Sequence, residues 1–143
     1  MNEQNKQDIK RLVESSRDII VCSIDDNGFP NAKTMFQLKG DGLRTFWFST
    51  NTSAIRTGQF QKRPEACIYF VDHEGFHGLM LTGKMQVLTD NATKLSFWKD
   101  GDEKYYPLGP TDPDYSILKF TAENGNYYHG LQKHLFSVQA FEE

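Results

Sequence analysis

The sequence predicts a mainly β chain with flanking helices, in which six or seven strands run mostly antiparallel. Three observations carry that prediction. The apolar runs are strand-sized and are separated by turn-forming clusters, Asp26-Asn27-Gly28, Gly40-Asp41-Gly42 and Asp72-His73-Glu74-Gly75. A long strand-like run over residues 76–88 contains Gly78 and Gly83, and interior glycines mark a bulge, a sharp bend of a small barrel or a close backbone approach. Aromatic residues make up 13% of the chain, with 11 phenylalanines among them. Rings in that number need a barrel core, a dimer interface or a planar ligand to cover them. Such a sheet must cover its edges or close on itself, which leaves a small, partly open barrel or a two-layer α+β sheet.

The elements follow in order. Residues 3–17 read as an amphipathic helix, since Ile9, Leu12, Val13 and Ser16 form a stripe among charged neighbours. Residues 19–25, IIVCSID, are a strand that ends in the Asp26-Asn27-Gly28 turn. Pro30 opens the next strand, where its missing N–H is tolerated, and that strand covers residues 31–38. A third strand covers residues 43–49, and a short helix over residues 53–60 stops before Pro64. Residues 66–71, ACIYFV, read as a strand buried on both faces, and residues 76–88 are the fifth strand. A helix over residues 90–98 can be capped by Asp90 or Asn91. Residues 101–114, GDEKYYPLGPTDPD, are irregular, and a loop of that length in a compact domain has a task or packs on a partner. Residues 116–121 and 126–130 read as two further strands, and residues 135–141 as a last strand or a tail.

Composition narrows the function. At 143 residues the chain fits one domain, residues 1–143, large enough to bury a core. Its 16 basic and 19 acidic residues give a formal charge of -3, which argues against a nucleic-acid surface but leaves room for a local basic pocket. No apolar run approaches the length of a membrane span, and MNEQNKQDIKRL has no apolar signal core, so the expectation is a cytoplasmic protein without a membrane partner. Cys22 and Cys67 make no framework and no CxxC, and they read as buried thiols in a reducing compartment.

Catalytic and metal motifs are missing. His73 and His77 flank a turn with Gly75 between them, so helical HxxxH geometry is excluded and solvated turn histidines are expected; no metal site is predicted. Ser49 and Ser53 lack a nucleophile elbow. Neither cysteine sits in an activating motif. Asp112 and Asp114 read as turn residues about Pro113. What remains is a candidate anion site in the stretch from Ala32 to Pro64. Lys33 lies on a strand, Arg56 on the following helix, and Ser49, Thr50, Asn51 and Ser53 supply short donors at the helix entry. An ordinary hairpin followed by a helix cap gives the same local pattern.

The order of motifs is more specific than any one of them. NAKTMFQL, TFWFSTNTSAIR, the KRP helix stop, ACIYFVD, LTGKMQVLTD, KLSFWKD and YYPLGPTDPDYSILKF follow one another over nearly the whole chain. In that order the chain resembles the pyridoxamine 5'-phosphate oxidase-like FMN-binding split-barrel superfamily, and its bacterial general stress protein branch in particular. The resemblance implies an antiparallel split β-barrel and a homodimer with two FMN sites, each lined by both subunits. It implies that Lys33 and Arg56 hold the FMN phosphate. Thr34, Met35 and Phe36 then face the isoalloxazine ring, with Ser49, Thr50, Asn51 and Ser53 in the phosphate and ribityl region. Trp98 is a candidate for the open face of the ring, together with Tyr105 and Tyr106. Two positions depart from the family's pattern: Arg56 replaces lysine, and Ala54 stands where serine is common. The implied function is that of an FMN flavoprotein, an oxidoreductase passing electrons from a reduced nicotinamide or similar donor to a small acceptor. A flavin- or haem-binding stress protein without turnover is the alternative. Pyridoxamine-phosphate oxidase activity is not expected, because the segment that recognises pyridoxal phosphate has no counterpart here.

Overall fold

The structure, a computed structural model, describes residues Met1–Glu143. Helix α1 (Glu3–Ser15) leads into strands β1 (Asp18–Ile24), β2 (Pro30–Asp41) and β3 (Thr45–Asn51). Helix α2 (Ile55–Lys62) precedes β4 (Glu65–Asp72) and β5 (His77–Leu88). Helix α3 (Asn91–Phe97) and a 3₁₀ turn (Asp102–Lys104) are followed by β6 (Tyr115–His129), β7 (Gln132–Ser137) and helix α4 (Val138–Glu142).

All the strand pairings are antiparallel, and their order β3-β2-β1-β4-β5-β6 is closed by a further ladder between β3 and β6. The result is a six-stranded barrel with β7 added outside the ring, and of the two architectures the sequence allowed it is the barrel that forms. Strand β6 makes this possible by its length. Its first half, from Tyr115 to Thr121, pairs with β3, and its second half, from Asn124 to His129, pairs with β7. The wall also splits between β2 and β3. Their ladder joins Gln37–Asp41 to Thr45–Phe48, and beyond it β2 keeps only β1 while β3 keeps only β6.

Strict alternation sends Phe46, Phe48, Ile68, Phe70, Leu79, Leu81, Leu118 and Phe120 into the barrel, all fully buried. Helix α1 lays its stripe of Ile9, Leu12 and Val13 on this core, and Asn2 caps it by accepting the Asn5 N–H at 2.8 Å. Each fully buried aromatic or aliphatic side chain contributes about 1.5–3 kcal/mol, and the Phe46 ring packs tilted against Phe70 and Phe120 at 5.5 and 6.5 Å.

Several local readings change. Strand β4 is buried on one face only, because its outer residues Cys67 and Tyr69 face away from the barrel. Residues Tyr115–His129 form one strand rather than two. The turn-like Ala122-Glu123-Asn124-Gly125 is a bulge in which Glu123 is the extra residue between Gly83↔Ala122 and Thr82↔Asn124. Gly83 has no room for a Cβ against the Thr121 carbonyl, and Gly125 none beneath the Phe136 ring, so both glycines answer to close approach. Strand β2 runs on through Gly40, and the turn sits at Asp41–Arg44, where Glu142 of α4 accepts the Leu43 N–H at 2.6 Å. The tail thus supplies both a strand and a helix.

Candidate functional site

At the C-terminal end of β3 the chain turns into α2, and the hydroxyl and amide residues of that junction have separate fates. Thr50 points inward and is buried, with Oγ1 3.4 Å from Thr57 Oγ1, which itself donates to the Asn51 carbonyl at 2.7 Å. Thr52 shares a hydrogen bond with Ser116. Asn51 Nδ2 and the Ser53 N–H donate to the Asp114 carboxylate at 3.2 and 2.8 Å. Hydrogen bonds from the Ser53 side chain, then the Ser53 N–H and then Asn51 Nδ2, hold the Asp114 carboxyl below its usual 3.8. Ser49 is half-buried on the outer face, in register with Ile117 of β6.

Helix α2 begins without a side-chain cap, since its N-cap residue is Ala54. Arg56 sits in its first turn, half-buried, with no ion pair, and its Nε is buried without an acceptor. Burial disfavours its charge and the neighbouring Tyr106 opposes that effect, yet a guanidinium stays protonated in proteins. The same helix end carries the positive pole of the macrodipole and backbone N–H groups without helical acceptors. A cation at that pole repels it, and an anion bound there relieves both.

An aromatic wall stands beside this junction. Tyr106, Tyr115 and Ile117 form a second buried cluster, packed by Leu38, Trp47, Leu88, Phe97 and Trp98. Trp98 lies edge-on to Tyr115 at 5.2 Å and tilted against Tyr106 at 6.4 Å. The long loop is anchored to this wall by its own residues. Buried Lys94 of α3 donates from Nζ to the Asp112 carbonyl at 2.9 Å, and the Tyr115 hydroxyl donates to the Lys94 carbonyl at 3.0 Å. The Asp112 carboxylate accepts the N–H groups of Leu108 and Asp114, so both aspartates are turn residues as expected, with Asp114 also tying the loop to α2.

On the other lip of the split, β2 presents Lys33 and Phe36 to solvent, with Phe36 69% exposed, while the Met35 side chain is buried in the barrel. Thr34 lines a different cavity, of about 730 Å³, with Arg17, Asp72 and His77. The structure therefore gathers Ser49, Asn51, Ser53, Arg56 and Trp98 around the loop. It leaves Lys33, Thr34 and Phe36 on the facing strand and turns Met35 and Thr50 inward.

Sequence reading missed two groups. Lys94 is one, since nothing local in the sequence shows the loop carbonyl that it meets. His77 and His129, paired across β5 and β6, stack edge-on at 4.3 Å, and His77 Nδ1 meets the Tyr127 hydroxyl at 3.2 Å. His77 is thus half-buried at the barrel rim rather than free at a turn. No group of three or more histidines, cysteines or carboxylates converges as a metal site, and no helix is long and apolar enough to cross a membrane.

Residues 6–129 match the family model described as pyridoxamine 5'-phosphate oxidase. A solved structure from Clostridium acetobutylicum, a protein related to general stress protein 26 of B. subtilis in the pyridoxinephosphate oxidase family, is 46% identical. The match covers 99% of each chain with a TM-score of 0.89. General stress protein 26 from Bacillus anthracis shares the fold at 14% identity and a TM-score of 0.73, over 93% of this chain and 98% of that one. A heme binding protein from Mycobacterium smegmatis does so at 14% identity and 0.77, over 99% of this chain and 61% of that one. No curated protein matches by sequence. The chain belongs to the pyridoxamine 5'-phosphate oxidase family.

Proposed function

We propose that this family member binds FMN in the split between β2 and β3 and acts as an oxidoreductase. It would pass electrons from a reduced nicotinamide or similar donor to a small acceptor. One observation carries the reading: the half-buried, partnerless guanidinium of Arg56 at the uncapped start of α2. An orphaned buried donor of this kind asks for an acceptor that the chain does not supply. A phosphate monoester provides two charges and three oxygens at the place where Arg56 and the helix pole both favour them.

In this reading Arg56 holds the phosphate from α2 and Lys33 reaches it from β2. Ser49 lies along the ribityl path, while Asn51 and Ser53 shape the junction through Asp114. Phe36 and the β2 backbone at Thr34 and Met35 lie along one side of the ring, and Trp98 stands on the wall opposite. When bound, FMN supplies the electron transfer itself. The protein's share is to orient the ring, exclude water from its edge and neutralise the phosphate. Exposed Phe36, Ile55, Tyr105 and Leu108 are suited to cover by a second copy, which supports a homodimer that completes each site. A cytoplasmic location is part of this reading.

Titration of the purified protein with FMN, followed by flavin fluorescence and visible absorbance, tests the reading. Saturable one-to-one binding at micromolar flavin is expected, and its absence at tens of micromolar overturns it. A second reading, a stress protein that holds flavin or haem without turnover, draws on the His77–His129 pair, since imidazole ligates haem iron. Oxidation of reduced nicotinamide by the FMN-loaded protein favours the first reading. A haem absorbance band that disappears in His77→Ala, with no such oxidation, favours the second.

A further inference from the structure

The two cysteines lie directly opposite each other. Cys22 of β1 is in register with Cys67 of β4, and the two form the last of only three residue pairs in that ladder. Opposed Cα atoms in an antiparallel ladder are about 4.5 or 5.5 Å apart according to pair type. Both separations fall within the roughly 4.4–6.8 Å that a disulfide spans. Both side chains stand on the outer face and are partly exposed, because their neighbours Val21, Ser23, Ala66 and Ile68 take the inward positions. Past the pair, β1 and β4 part. A cavity of about 350 Å³ opens against both thiols, lined also by Ile24, Pro30, Glu65 and Lys84. That volume lies at the small end of ligand-binding cavities.

We propose that Cys22 and Cys67 form a thiol–disulfide exchange site for small-molecule disulfides on the barrel wall, with Cys22 attacking and Cys67 resolving. The roles follow from geometry: the Cys67 S–H is directed at the Ile68 carbonyl, 3.8 Å away, an acceptor that Cys22 lacks. The Cys67 S–H beside it stabilises the Cys22 thiolate and draws its pKa from 9.0 down to about 7, against the effect of burial. Cys67 is pushed up by Cys22 and by burial. In the first step the Cys22 thiolate attacks one sulfur of the external disulfide, forms a mixed disulfide and releases one thiolate. That thiolate takes up the Cys67 proton, and Cys67 attacks Cys22 Sγ, breaks the mixed bond and expels the second thiolate, which is protonated from solvent. Two protein thiols are oxidised, and one small disulfide is reduced to two thiols. The product fastens β1 to β4 at the shortest ladder of the barrel.

The test treats the full chain with oxidised glutathione at neutral pH and reads free thiols, intact mass and peptide linkage over time. Wild type is expected to lose both thiols without retaining glutathione and to link the peptides containing Cys22 and Cys67. Closing a loop of about 45 residues should then raise the melting midpoint by roughly 10 °C, reversibly with reductant. Cys67→Ser should accumulate a stable glutathione adduct on Cys22. Cys22→Ser should react at least about fivefold more slowly: the larger thiolate fraction of Cys22 is partly offset by the weaker nucleophilicity of a low-pKa thiolate. Adducts that persist on the wild-type protein, disulfides only between chains, or equal rates for the two serine variants would each overturn the proposal. The wild-type measurement decides it alone if either variant fails to fold.

Discussion

Two arginines frame the same helix and live in opposite circumstances. Arg63 follows the last residue of α2, donates from Nε to the Ile24 carbonyl at 3.1 Å and from Nη2 to Asp26 at 2.8 Å. It sits at the negative pole of the helix, and every contact it makes ties α2 to the β1–β2 turn. Arg56 sits seven residues earlier at the positive pole, half-buried, with Nε unbonded and no carboxylate paired to it. One guanidinium is consumed by the fold, and the other is held in reserve by it. Leaving a buried donor unmet costs about 1–3 kcal/mol, a cost that the proposed phosphate would remove.

Replacing each arginine in turn tests that contrast most directly. Arg56→Gln should weaken FMN binding by about 10- to 150-fold, corresponding to roughly 1.5–3 kcal/mol for a lost charge-assisted contact. The melting midpoint should stay the same or rise, because an unmet buried charge is removed. Isothermal titration beside thermal melting reads both quantities. If Arg56→Gln melts markedly lower and binds FMN as wild type does, Arg56 is a structural residue like its partner. Arg63→Ala should show the mirror image. It loses its bond to the Ile24 carbonyl, about 1 kcal/mol of stability by denaturant melting, with FMN affinity unchanged.

How much of this contrast the sequence revealed depends on range. The succession of elements was legible because turns and caps are written locally: Asp25 accepts the N–H groups of Asn27 and Phe29, and Asp90 caps α3 through the Thr93 N–H. The buried face of α1, Ile9, Leu12 and Val13, was legible from its spacing. The Cys22 and Cys67 faces were not, because ACIYFV is apolar on both sides and the one polar residue of IIVCSI, Ser23, is on the buried face. Both basic residues of the candidate site stood out from the helix entry and the family pattern. The pairing of Arg63 and the solitude of Arg56 did not, since Asp26 lies 37 residues from Arg63 along the chain. Lys94 and the His77–His129 pair were hidden for the same reason, as their partners arrive through the long loop and the β5–β6 register.

The cap position offers a smaller and independent handle on the same helix pole. Ala54 has extended backbone geometry, φ -66° and ψ 147°, which suits a capping side chain, and its own contributes none. Ala54→Ser should add about 0.5–2 kcal/mol of stability to the ligand-free protein. The hydroxyl also lies where a phosphate would be met, so FMN affinity should rise with it. A gain in melting midpoint with no change in FMN affinity would separate the cap from the phosphate site and move the anion toward Lys33.

The mildest effect belongs to Asp114, the carboxylate nearest the pole that Arg56 shares. Hydrogen bonds from the Ser53 side chain, then the Ser53 N–H and then Asn51 Nδ2, lower its folded pKa below the 3.8 of the free group. With the folded value depressed, its contribution to stability is present in full above about pH 4. It is lost as the pH falls through the folded value, where the carboxyl takes up a proton and releases its donors. Asp114→Asn keeps an acceptor for the Ser53 N–H but cannot titrate, so its stability should fall less than that of wild type between pH 5 and pH 3, read by chemical denaturation at each pH. At neutral pH the same variant removes a negative charge beside the proposed phosphate, and FMN affinity should increase by no more than about fivefold, the effect of one exposed charge. Unchanged affinity in low salt would place the phosphate away from the α2 pole and leave the solitary Arg56 without the ligand that explains it.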